Sequence, residues 1–479
     1  MQPVLTTVEM GEIDARAAAT TPLDTLVERA GTAVALAAMD MMGGAYGRRV
    51  VLICGKGNNG ADGRVAARLL ARRGARVRIV APDEPGVIGG SGVPVDLVVD
   101  AAFGTGFRGA YDAPVVASGI PVLAVDIPSG VSGDTGEALG RVLAADRTVT
   151  FVAPKPGLLQ WDGVPLAGEV VVVDIGLAPE ADRTAEGTAE GTAAGTTAGT
   201  TAGTARRIDR IEDVDIVDLL AERRPQGHKW SAAVLVVAGS PGMTGAAELC
   251  ARAAYRAGAG MVRLGVPGGD RGALVASEAV GIELPTTGWA EDALTGADRC
   301  RAVAVGPGLG RAPRAGDEVR RFISGSLVPV VVDADGLTAL GRVDLHPLVA
   351  TAPVVLTPHD GEYERLTGVP PGPDRVEAAR RLAAASGVVV LVKGPTTAVA
   401  DPSGRVLLAT AGNPALASAG TGDVLSGVIA AFLARGVPAL EAAALAAHVH
   451  GRAGALGHRS GLVAGDLPDL VARILDVRR

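Results

Sequence analysis

The fold is decided by one stretch, Ala411-Gly-Asn-Pro-Ala-Leu-Ala-Ser-Ala-Gly-Thr-Gly-Asp-Val-Leu-Ser-Gly427. Its glycines Gly420, Gly422 and Gly427 surround a single carboxylate, Asp423. The apolar residues that follow are spaced one, three and four apart, which predicts a helix that begins at this loop. The N-terminus of such a helix presents unpaired N–H groups and the positive end of the helix dipole, so it suits a phosphate or another anion. An ordinary helix cap with Asp423 as dipole partner is the alternative.

The composition is typical of an α/β protein with a core of small aliphatic side chains. The 479 residues, 48% hydrophobic and 3% aromatic, suggest two or three domains. The net charge of −7 argues against bulk nucleic-acid binding, and three cysteines are too few for a disulfide scaffold or a zinc site. No secretory signal or membrane-spanning stretch is visible, so we expect a cytoplasmic protein with no nucleic-acid or membrane partner.

A repeat of glycine, threonine and alanine divides the chain. Residues 183–205 include no large apolar side chain, so this segment cannot bury enough surface to offset its ordering entropy. We interpret 181–207 as a flexible linker. The predicted domains are therefore 1–180 and 208–479.

The first half contains a strand, a glycine-rich loop, a helix and a second strand. An apolar strand over 49–54 precedes Gly55-Lys-Gly-Asn-Asn-Gly-Ala-Asp-Gly63, which is followed by a helix over 64–73 and a strand over 76–80. This βαβ unit predicts a Rossmann-like, three-layer domain whose loops bind a ligand at the carboxyl edge of a parallel sheet. The glycine pattern alone is weak evidence, and an Asn-rich turn bonded to its own backbone is the alternative.

Side chains with oxygen atoms follow several strands of this half. The loop at 55–63 carries an Asn58-Asn59 pair and Asp62, and two later strands end in carboxylates. Because adjacent strands of a doubly wound sheet share one crevice, these groups are expected to meet. Their amide and carboxylate oxygens suit a hard monovalent cation and a ribose or amide ligand. The residues expected to converge are Asn59, Asp100, Asp126 and Ser129.

Together these motifs resemble the NAD(P)H-hydrate epimerase domain over about 8–178. The resemblance rests on Gly-x-Gly-Asn-Asn-Gly-x-Asp-Gly, Asp-Ala-x-Phe-Gly-Thr-Gly, Asp-Ile-Pro-Ser-Gly and Phe151-Val-Ala-Pro-Lys-Pro-Gly-Leu158. It implies that the first two loops hold the hydrated nicotinamide nucleotide, and that potassium is held by Asn59, Asp100 and Ser129.

The resemblance also implies a set of substrate contacts and a catalytic Asp126, while the epimerase base stays open between Lys155 and Asp126. Ala61 departs from the glycine common in the family, which matters only if this residue needs a positive φ. The implied substrate-binding residues are Asn58, Asn59, Gly60, Ala61, Asp62, Gly104, Thr105, Gly106, Phe107, Arg108, Gly109, Ala110 and Asp126.

The second half repeats the design of strands that end in polar or glycine-rich loops, which predicts an open α/β sheet with one face of loops. Lys393 and Thr397 follow one of these strands and can contact phosphates or a ribose, and His359 lies in another loop. A solvated edge lysine and a turn histidine are the alternatives. The predicted strands are 232–238, 302–305, 328–332, 353–356 and 388–392.

This half resembles the ADP-dependent NAD(P)H-hydrate dehydratase, a relative of the ribokinase-like sugar kinases, over about 210–475. The motifs are Gly-Pro-Gly-Leu-Gly, Thr-Pro-His-x-Gly-Glu, Val-Lys-Gly-x-x-Thr and the stretch that opens at Ala411. Ala411 and Ala415 stand where the family often has Asp and Gly, and neither change removes a catalytic group. The resemblance implies that the phosphate of ADP activates the hydroxyl of the hydrate while Asp423, as catalytic residue, handles a proton. The implied hydrate-binding residues are Ala246, Gly308, Gly310, His359 and Asp423, and the implied ADP-binding residues are Lys393, Gly394, Pro395, Thr396, Thr397 and Gly422.

The two resemblances lead to one hypothesis, a bifunctional repair enzyme. The first domain would interconvert the R and S hydrates of NADH and NADPH, and the second would dehydrate the S hydrate at the expense of ADP. Potassium is the expected cofactor of the first domain and Mg²⁺ of the second, and we expect a homo-oligomer. The alternatives are a ribokinase-type small-molecule kinase and a nucleotide-sensing module without turnover. The first half argues against a plain kinase, since sugar kinases do not carry the Asn-Asn loop domain.

Overall fold

The computed structural model describes residues 1–90, 92, 94–178, 206–222, 227–269, 278–310 and 314–476. Contacts divide the chain into two units, Pro3–Thr197 and Ala198–Arg479, and assign Met1–Gln2 to the second. The dividing point falls inside the predicted linker 181–207, nearly all of which lies outside the described residues. The flexibility of that linker stays a prediction.

The elements up to residue 173 include the predicted strand–helix–strand unit between residues 49 and 80. The strands are β1 Gln2–Val4, β2 Arg49–Cys54, β3 Arg76–Val80, β4 Val87–Ile88, β5 Leu97–Ala101, β6 Val115–Val116, β7 Val122–Val125, β8 Arg147–Phe151 and β9 Glu169–Val173. The helices are α1 Thr7–Ala17, α2 Leu23–Met42, α3 Asn58–Arg72 and α4 Gly163–Ala167.

The first unit is built on a parallel sheet of order β3-β2-β5-β7-β8-β9. Alternate residues of a strand face opposite sides: Leu97 and Val99 of β5 pack with the helical residues Met10 and Leu70, while Val98 packs in a core on the other side. Both faces of the sheet are therefore buried, as is usual for parallel sheets.

The direction in which successive strands are added to the sheet reverses between β2 and β5. β2 precedes β3 and β5 in sequence and lies between them in the sheet. The loops that follow β2 and β5 therefore open into one crevice at the carboxyl edge, where ligands bind in doubly wound folds.

The second unit is a larger α/β assembly. Its strands are β10 Ile208–Arg210, β11 Ala233–Val237, β12 Met261–Pro267, β13 Val280–Leu284, β14 Ala302–Val305, β15 Val330–Val332, β16 Val354–Leu356, β17 Val389–Val392, β18 Thr397–Ala400 and β19 Val406–Ala409. Its helices are α5 Asp213–Leu219, α6 Gly245–Arg256, α7 Trp289–Ala297, α8 Ala315–Gly325, α9 Asp335–Leu340, α10 Asp360–Thr367, α11 Arg375–Ser386, α12 Thr421–Ala434, α13 Ala439–Leu456 and α14 Leu467–Asp476.

These strands pair in the order β10-β19-β18-β17-β16-β15-β14-β11-β12-β13. Neighbours are parallel except where β18 runs antiparallel to β17 and β19. β11 lies between β12 and β14, so the direction of winding changes between β11 and β14. The loops after β11 and β14 therefore share the crevice of this second sheet.

The helix predicted after the glycine-rich stretch is α12, and nearly all of its residues are buried. Val424, Val428 and Phe432 have no exposed surface. Gly427 allows α12 to approach α6 closely, because a Cβ at this position would collide with the Cys250 carbonyl oxygen. α12 also packs on the central strands β11, β14 and β15.

One predicted element boundary is wrong. The loop predicted over 55–63 is helical from Asn58 onward. Near the N-terminus, the chain leaves the helix after Ala17 and α2 begins after Pro22, which cannot continue a helix. In the described residues, no helix is both long enough and apolar enough to cross a membrane.

Candidate active sites

The first unit carries a cavity of about 660 Å³ beside the crevice between β2 and β5. Its wall combines the loops after β2 and β5 with the inner faces of α1 and α2. The predicted hydrate-binding residues that line it are Asn58, Asn59, Asp62, Gly104, Thr105, Gly106, Phe107, Arg108 and Asp126. The other four predicted contacts, Gly60, Ala61, Gly109 and Ala110, are not part of this wall.

The loop after β2 lies close to the loop after β5 because its glycines have no side chains. A Cβ at Gly55 would collide with the Ala102 carbonyl oxygen, and one at Gly60 with the backbone of Gly55. Asn58 and Asn59 therefore lie at the N-terminus of α3, and the first turn of this helix lines the cavity. Ala61 lies inside this helix without a positive φ, so its methyl group introduces no backbone strain.

Asp126 occupies a strained position directly after β7. Its φ is +65°, a region that residues with a side chain rarely adopt. Its Oδ1 accepts hydrogen bonds from Lys155 Nζ at 2.6 Å and Thr150 Oγ1 at 3.2 Å, and its Oδ2 accepts from the Thr105 backbone at 3.4 Å. Strained residues of this kind are concentrated at functional sites.

Lys155 is unsuited to be the epimerase base. Its side chain is 1% exposed, and its ammonium group donates to Asp126, to Thr150 Oγ1 at 2.8 Å and to the Phe151 carbonyl at 3.1 Å. These three bonds use all three N–H groups of an ammonium ion, which leaves no lone pair to accept a proton. Lys155 instead fixes the carboxylate of Asp126.

Two further carboxyl groups, Asp14 and Asp62, line the same cavity. Burial and the charge of Asp126 raise the pKa of Asp62 to about 8. Burial, followed by the charge of Asp126, also raises the pKa of Asp14, which Lys155 partly opposes. Asp14 was not predicted as a site residue, because it lies on a helix outside every loop motif and only the packing of α1 brings it to the cavity.

A buried carboxylate lies beneath the cavity. Asp100 has no exposed surface and accepts hydrogen bonds from the Ser129 hydroxyl at 2.6 Å and the Ser129 N–H at 2.9 Å. Burial raises its pKa, against these hydrogen bonds. The Nδ2 atom of Asn59 is also buried, without a hydrogen-bond partner among the described residues. The structure thus brings the predicted cation ligands to one region.

In the second unit, two glycine-rich turns meet where β11 and β14 end. Gly308 adopts a φ of +64°, and a Cβ there would lie 3.0 Å from Cβ of Ala246. The Ser240 hydroxyl donates to the Gly308 carbonyl at 3.1 Å. Gly310 N donates to Asp335 Oδ2 at 2.9 Å. The predicted residues Ala246, Gly308 and Gly310 therefore form one wall of the second site.

The opposite wall is the N-terminus of α12 and the residues that meet it. Lys393 Nζ donates to Asp333 Oδ1 at 2.5 Å, and the Ser426 hydroxyl donates to Asp333 Oδ2 at 2.6 Å. A Cβ at Gly422 would lie 3.4 Å from Lys393 Nζ, so the lysine lies directly against the glycine-rich turn. The Lys393 of the sequence prediction is thus a partly buried residue of the site and not a solvated edge lysine.

The electrostatics of this wall centre on Asp423. Burial raises the pKa of Asp423 to about 6; the charge of Asp333 also raises it, while Lys393 lowers it. Burial would raise the pKa of Asp333 as well, but the Lys393 ammonium and hydrogen bonds from Lys393, Ser426 and Thr357 outweigh burial and lower it. Asp333 is therefore the fixed charge, and Asp423 can exchange a proton near neutral pH.

His359 and the loop after β17 complete the site. His359 caps α10, its Nδ1 accepting from Gly361 N at 3.0 Å, while Glu362 Oε2 accepts from His359 N at 3.0 Å. Burial raises the pKa of Glu362. Arg375 donates to Asp360 Oδ1 at 2.6 Å and also to the Lys393 carbonyl, which ties α10 to the turn beginning at Gly394.

The remaining predicted ADP-binding residues lie along that turn. Pro395 packs against Gly412, because a Cβ on Gly412 would overlap the Pro395 carbonyl oxygen. Thr396 is buried, and Thr397 begins β18. The turn therefore lies directly beside the glycine-rich stretch that opens at Ala411.

Comparison with known proteins places both units in one family. Residues 234–476 match the family described as NAD(P)H-hydrate dehydratase, and residues 23–88 and 82–157 match the one described as YjeF-related protein N-terminus. The bifunctional NAD(P)H-hydrate repair enzyme Nnr of Salinibacter ruber is 38% identical over 95% of this chain and 92% of its own length. The chain belongs to the family of bifunctional NAD(P)H-hydrate repair enzymes.

Another member and one solved structure agree with this result. The NAD(P)H-hydrate repair enzyme Nnr of Mycobacterium tuberculosis is 40% identical over 84% of this chain and 82% of its own. A ribokinase-like superfamily protein of Enterococcus faecalis V583 covers 59% of this chain and 99% of its own, with a TM-score of 0.50 and 21% identity. The predicted ribokinase-like fold is therefore confirmed.

For a member of the NAD(P)H-hydrate repair family, the structure adds residues that motif reading passed over. Asp333 and Asp335 directly follow the predicted strand 328–332, and Ser426 lies in the stretch that opens at Ala411, but none of the three was predicted as a site residue. Ala334 between the two aspartates has a φ of +50°, which turns their side chains to different partners. An Asp-x-Asp after a buried strand is the sequence signal that could have found them.

Proposed function

We propose that the protein repairs hydrated NADH and NADPH in the cytoplasm, with the first unit interconverting the R and S hydrates and the second dehydrating the S hydrate at the expense of ADP. Family membership of both units supports two activities in one chain. The single observation that carries the proposal is the pair of separate sites at strand ends. One has the buried Asp62 in a cavity and the other has the half-buried Asp423 in a glycine-rich turn, and both carboxyl groups have a raised pKa.

In the first unit, the nicotinamide hydrate would occupy the cavity between α1, α3 and the loop after β5. Asp126, fixed by Lys155 and facing the Gly104 turn, would contact the reacting ring. The N–H group of Gly106 and those of the first turn of α3 would hold the polar parts of the nucleotide.

The buried Asp100 and Ser129 fit a potassium ion. Their oxygen atoms are the hard donors that such a cation takes. The Asn59 amide can add a third oxygen if its Oδ1 and Nδ2 positions are exchanged, because the Nδ2 atom as placed is buried without a hydrogen-bond partner among the described residues. The described hydrogen-bond partners of Asp100 are all neutral, so a cation here would supply a positive charge beside its carboxyl group. We propose that it orders the loop after β5, because Ser129 also bonds the Phe103 N–H at 2.9 Å.

In the second unit, the phosphates of ADP would lie at the N-terminus of α12, where the glycines allow close approach. Lys393 and the turn over Gly394–Thr397 would contact the nucleotide. The hydrate would lie between the Gly308 turn, Ala246 and His359, with its hydroxyl near Asp423. Asp423 would take the hydroxyl proton while the terminal phosphate activates the oxygen as a leaving group.

Mg²⁺ would enter this site with the phosphates. Among the residues that the structure describes, no group of three or more His, Cys, Asp or Glu side chains could hold a metal by itself. Magnesium often binds mainly through substrate phosphates and water, with few protein ligands, so the arrangement suits it.

The test is to incubate the protein with hydrated NADH, ADP, Mg²⁺ and K⁺ and follow the absorbance of the reduced nicotinamide. We expect complete recovery from a mixture of both epimers. Recovery of only the S hydrate would remove the epimerase assignment. ATP consumption with a phosphorylated product and no recovered NADH would favour the ribokinase-type kinase instead.

A further inference from the structure

The epimerase cavity is lined by more carboxyl groups than cationic side chains. Asp14 comes from α1, Asp62 from α3, and Asp126 follows β7. Lys155, the buried cation of the wall, is bound to Asp126 and to two other oxygens. Arg108 lies at the rim, where its Nη1 donates to the carbonyls of residues 105 and 107. Among the described residues, the carboxyl groups of Asp14 and Asp62 have no ion pair or hydrogen bond.

This arrangement forces one of the carboxyl groups to keep its proton. Asp62 is 7% exposed and lies where the negative charge of Asp126 reaches it. Burial and that charge raise its pKa to about 8, so at neutral pH the cavity contains a neutral, proton-donating Asp62. Asp14 is exposed on α1, and part of its repulsion from Asp126 is offset by Lys155. Two carboxyl groups with different environments can take opposite roles.

We propose that the first unit inverts its substrate by expelling the hydroxyl group as water and adding water back on the other face, with Asp62 as proton donor and Asp14 as proton acceptor. This inference rests on the proposed epimerase function and assigns its mechanism. The main competing route opens the ring to an aldehyde and closes it again, and in that route the original oxygen stays on carbon.

The proposed step balances as follows. Water adds to the enamine of a reduced nicotinamide so that its hydroxyl lies on the carbon beside the ring nitrogen. Asp62 protonates this hydroxyl, the C–O bond breaks with its electron pair leaving in water, and the nitrogen lone pair forms a C=N bond. The planar cation then gains a C–O bond from a water molecule on the opposite face, the C=N π pair returns to nitrogen, and the extra proton goes to Asp14.

The charges of the cavity favour this cation. The carboxylate of Asp126 faces the ligand space, since a Cβ on Gly104 would lie 3.3 Å from its Oδ2. A preorganised negative charge stabilises positive charge that develops in a site of low dielectric constant. Ring opening would begin by removing a proton from the hydroxyl, and the resulting negative oxygen would be repelled by the same carboxylates.

The two proton-transfer residues come from separate helices, which suits attack on opposite faces of a ring. In the reverse direction the roles exchange: Asp14 would donate and Asp62 would accept, as microscopic reversibility requires for a reaction that interconverts two epimers. Exchange of protons with solvent between turnovers would reset the pair.

The test uses the full chain without ADP, so that the dehydratase is idle. Purified R hydrate is incubated in water enriched in oxygen-18, and the S hydrate formed at early times is analysed by chromatography and mass spectrometry, with an enzyme-free sample as control. We expect the hydroxyl oxygen of each inverted molecule to come from the solvent, so that oxygen-18 in the S hydrate matches the enrichment of the water. Inversion with retention of the original oxygen would overturn the proposal. Absence of any inversion would instead remove the epimerase function itself.

Variants test the assigned residues. Asp62→Asn cannot supply the proton, so we expect inversion and oxygen exchange to fall together by at least about 100-fold while ligand binding is kept. Asp14→Asn should lower both rates in the same ratio. Asp24→Asn, which removes an exposed carboxylate at the start of α2, is the matched control and should keep the rate. Unchanged inversion in Asp62→Asn, or a loss that comes only through weaker binding, would contradict the role of Asp62.

Discussion

Lys393 Nζ lies 2.5 Å from Asp333 Oδ1, and this ion pair joins the end of β17 to the end of β15 directly beneath the N-terminus of α12. Ser426, one turn into α12, bonds the second oxygen of the same carboxylate at 2.6 Å. The helix terminus, the lysine and the buried aspartate are therefore one unit. Asp423 lies at its exposed side, where its proton affinity depends on the charges around it.

Removing the carboxylate of one site should abolish the activity of that site and leave the activity of the other unchanged. We expect Asp423→Ala to lower dehydration of purified S hydrate by at least about 100-fold, because it removes the proposed acceptor of the hydroxyl proton, and to leave epimerisation unchanged. Asp126→Asn should do the reverse. Epimer-resolved chromatography of both variants checks this, and loss of both activities in either variant would contradict it.

The pH dependence of dehydration should report Asp423. Since its pKa is about 6 and the ionised form accepts the proton, kcat/KM should fall on the acid side with a midpoint near 6. In Asp333→Asn, a negative charge is lost and Lys393 is released, so the acid limb should move to lower pH. Asp317→Asn, an exposed carboxylate on α8, is the control. An acid limb that stays in place in Asp333→Asn would show that this network does not set the pKa of Asp423.

Asp62 should destabilise the first unit at alkaline pH. Its pKa is about 8 in the folded protein and about 4 when unfolded, so the folded state binds more protons between these values and loses stability as pH rises through them. Asp62→Asn should therefore increase the free energy of unfolding at pH 9 and change it little at pH 4. Hydrogen exchange of β5 and β7 measures this, and equal effects at both pH values would argue against the raised pKa.

Potassium should matter to epimerisation through Asp100. Because Asp100 is fully buried without a described cation partner, a bound K⁺ would stabilise its charge and the loop after β5. We expect several-fold faster epimerisation in K⁺ than in Li⁺, and loss of this difference in Asp100→Asn. Dehydration of purified S hydrate by the same variant serves as the internal control. The same K⁺ response in Asp100→Asn would place the ion elsewhere.

Gly427 should be needed for packing rather than chemistry. In Gly427→Ala the new Cβ would overlap the Cys250 carbonyl oxygen of α6, so we expect a loss of about 1–3 kcal/mol that outweighs the better helix propensity of alanine. Gly465→Ala places its Cβ in open space and is the control. Thermal inactivation of dehydration measures both, and a neutral Gly427→Ala would show that the two helices can separate at little cost.

Local patterns in the sequence were enough for the fold of each half. Buried parallel strands are runs of Val, Ile and Leu, and each ligand loop contains glycines where a side chain would collide with backbone, as at Gly55 and Gly412. The loop residues of both sites were found for the same reason, since their motifs are contiguous. The start of α3 was misjudged because Gly and Asn are poor helix formers, and packing outweighed that preference.

The sequence by itself determined the class of fold, the family and the loops that carry the chemistry, because these depend on short-range periodicity and spacing. Only the tertiary structure decided which distant groups share an electrostatic environment. It brought Asp14 and Asp62 to the wall of one cavity, paired Lys155 with Asp126, and buried Asp333 close to Asp423. Proton affinity depends on burial and on charges brought together in space, and neither is encoded in any one stretch of the chain.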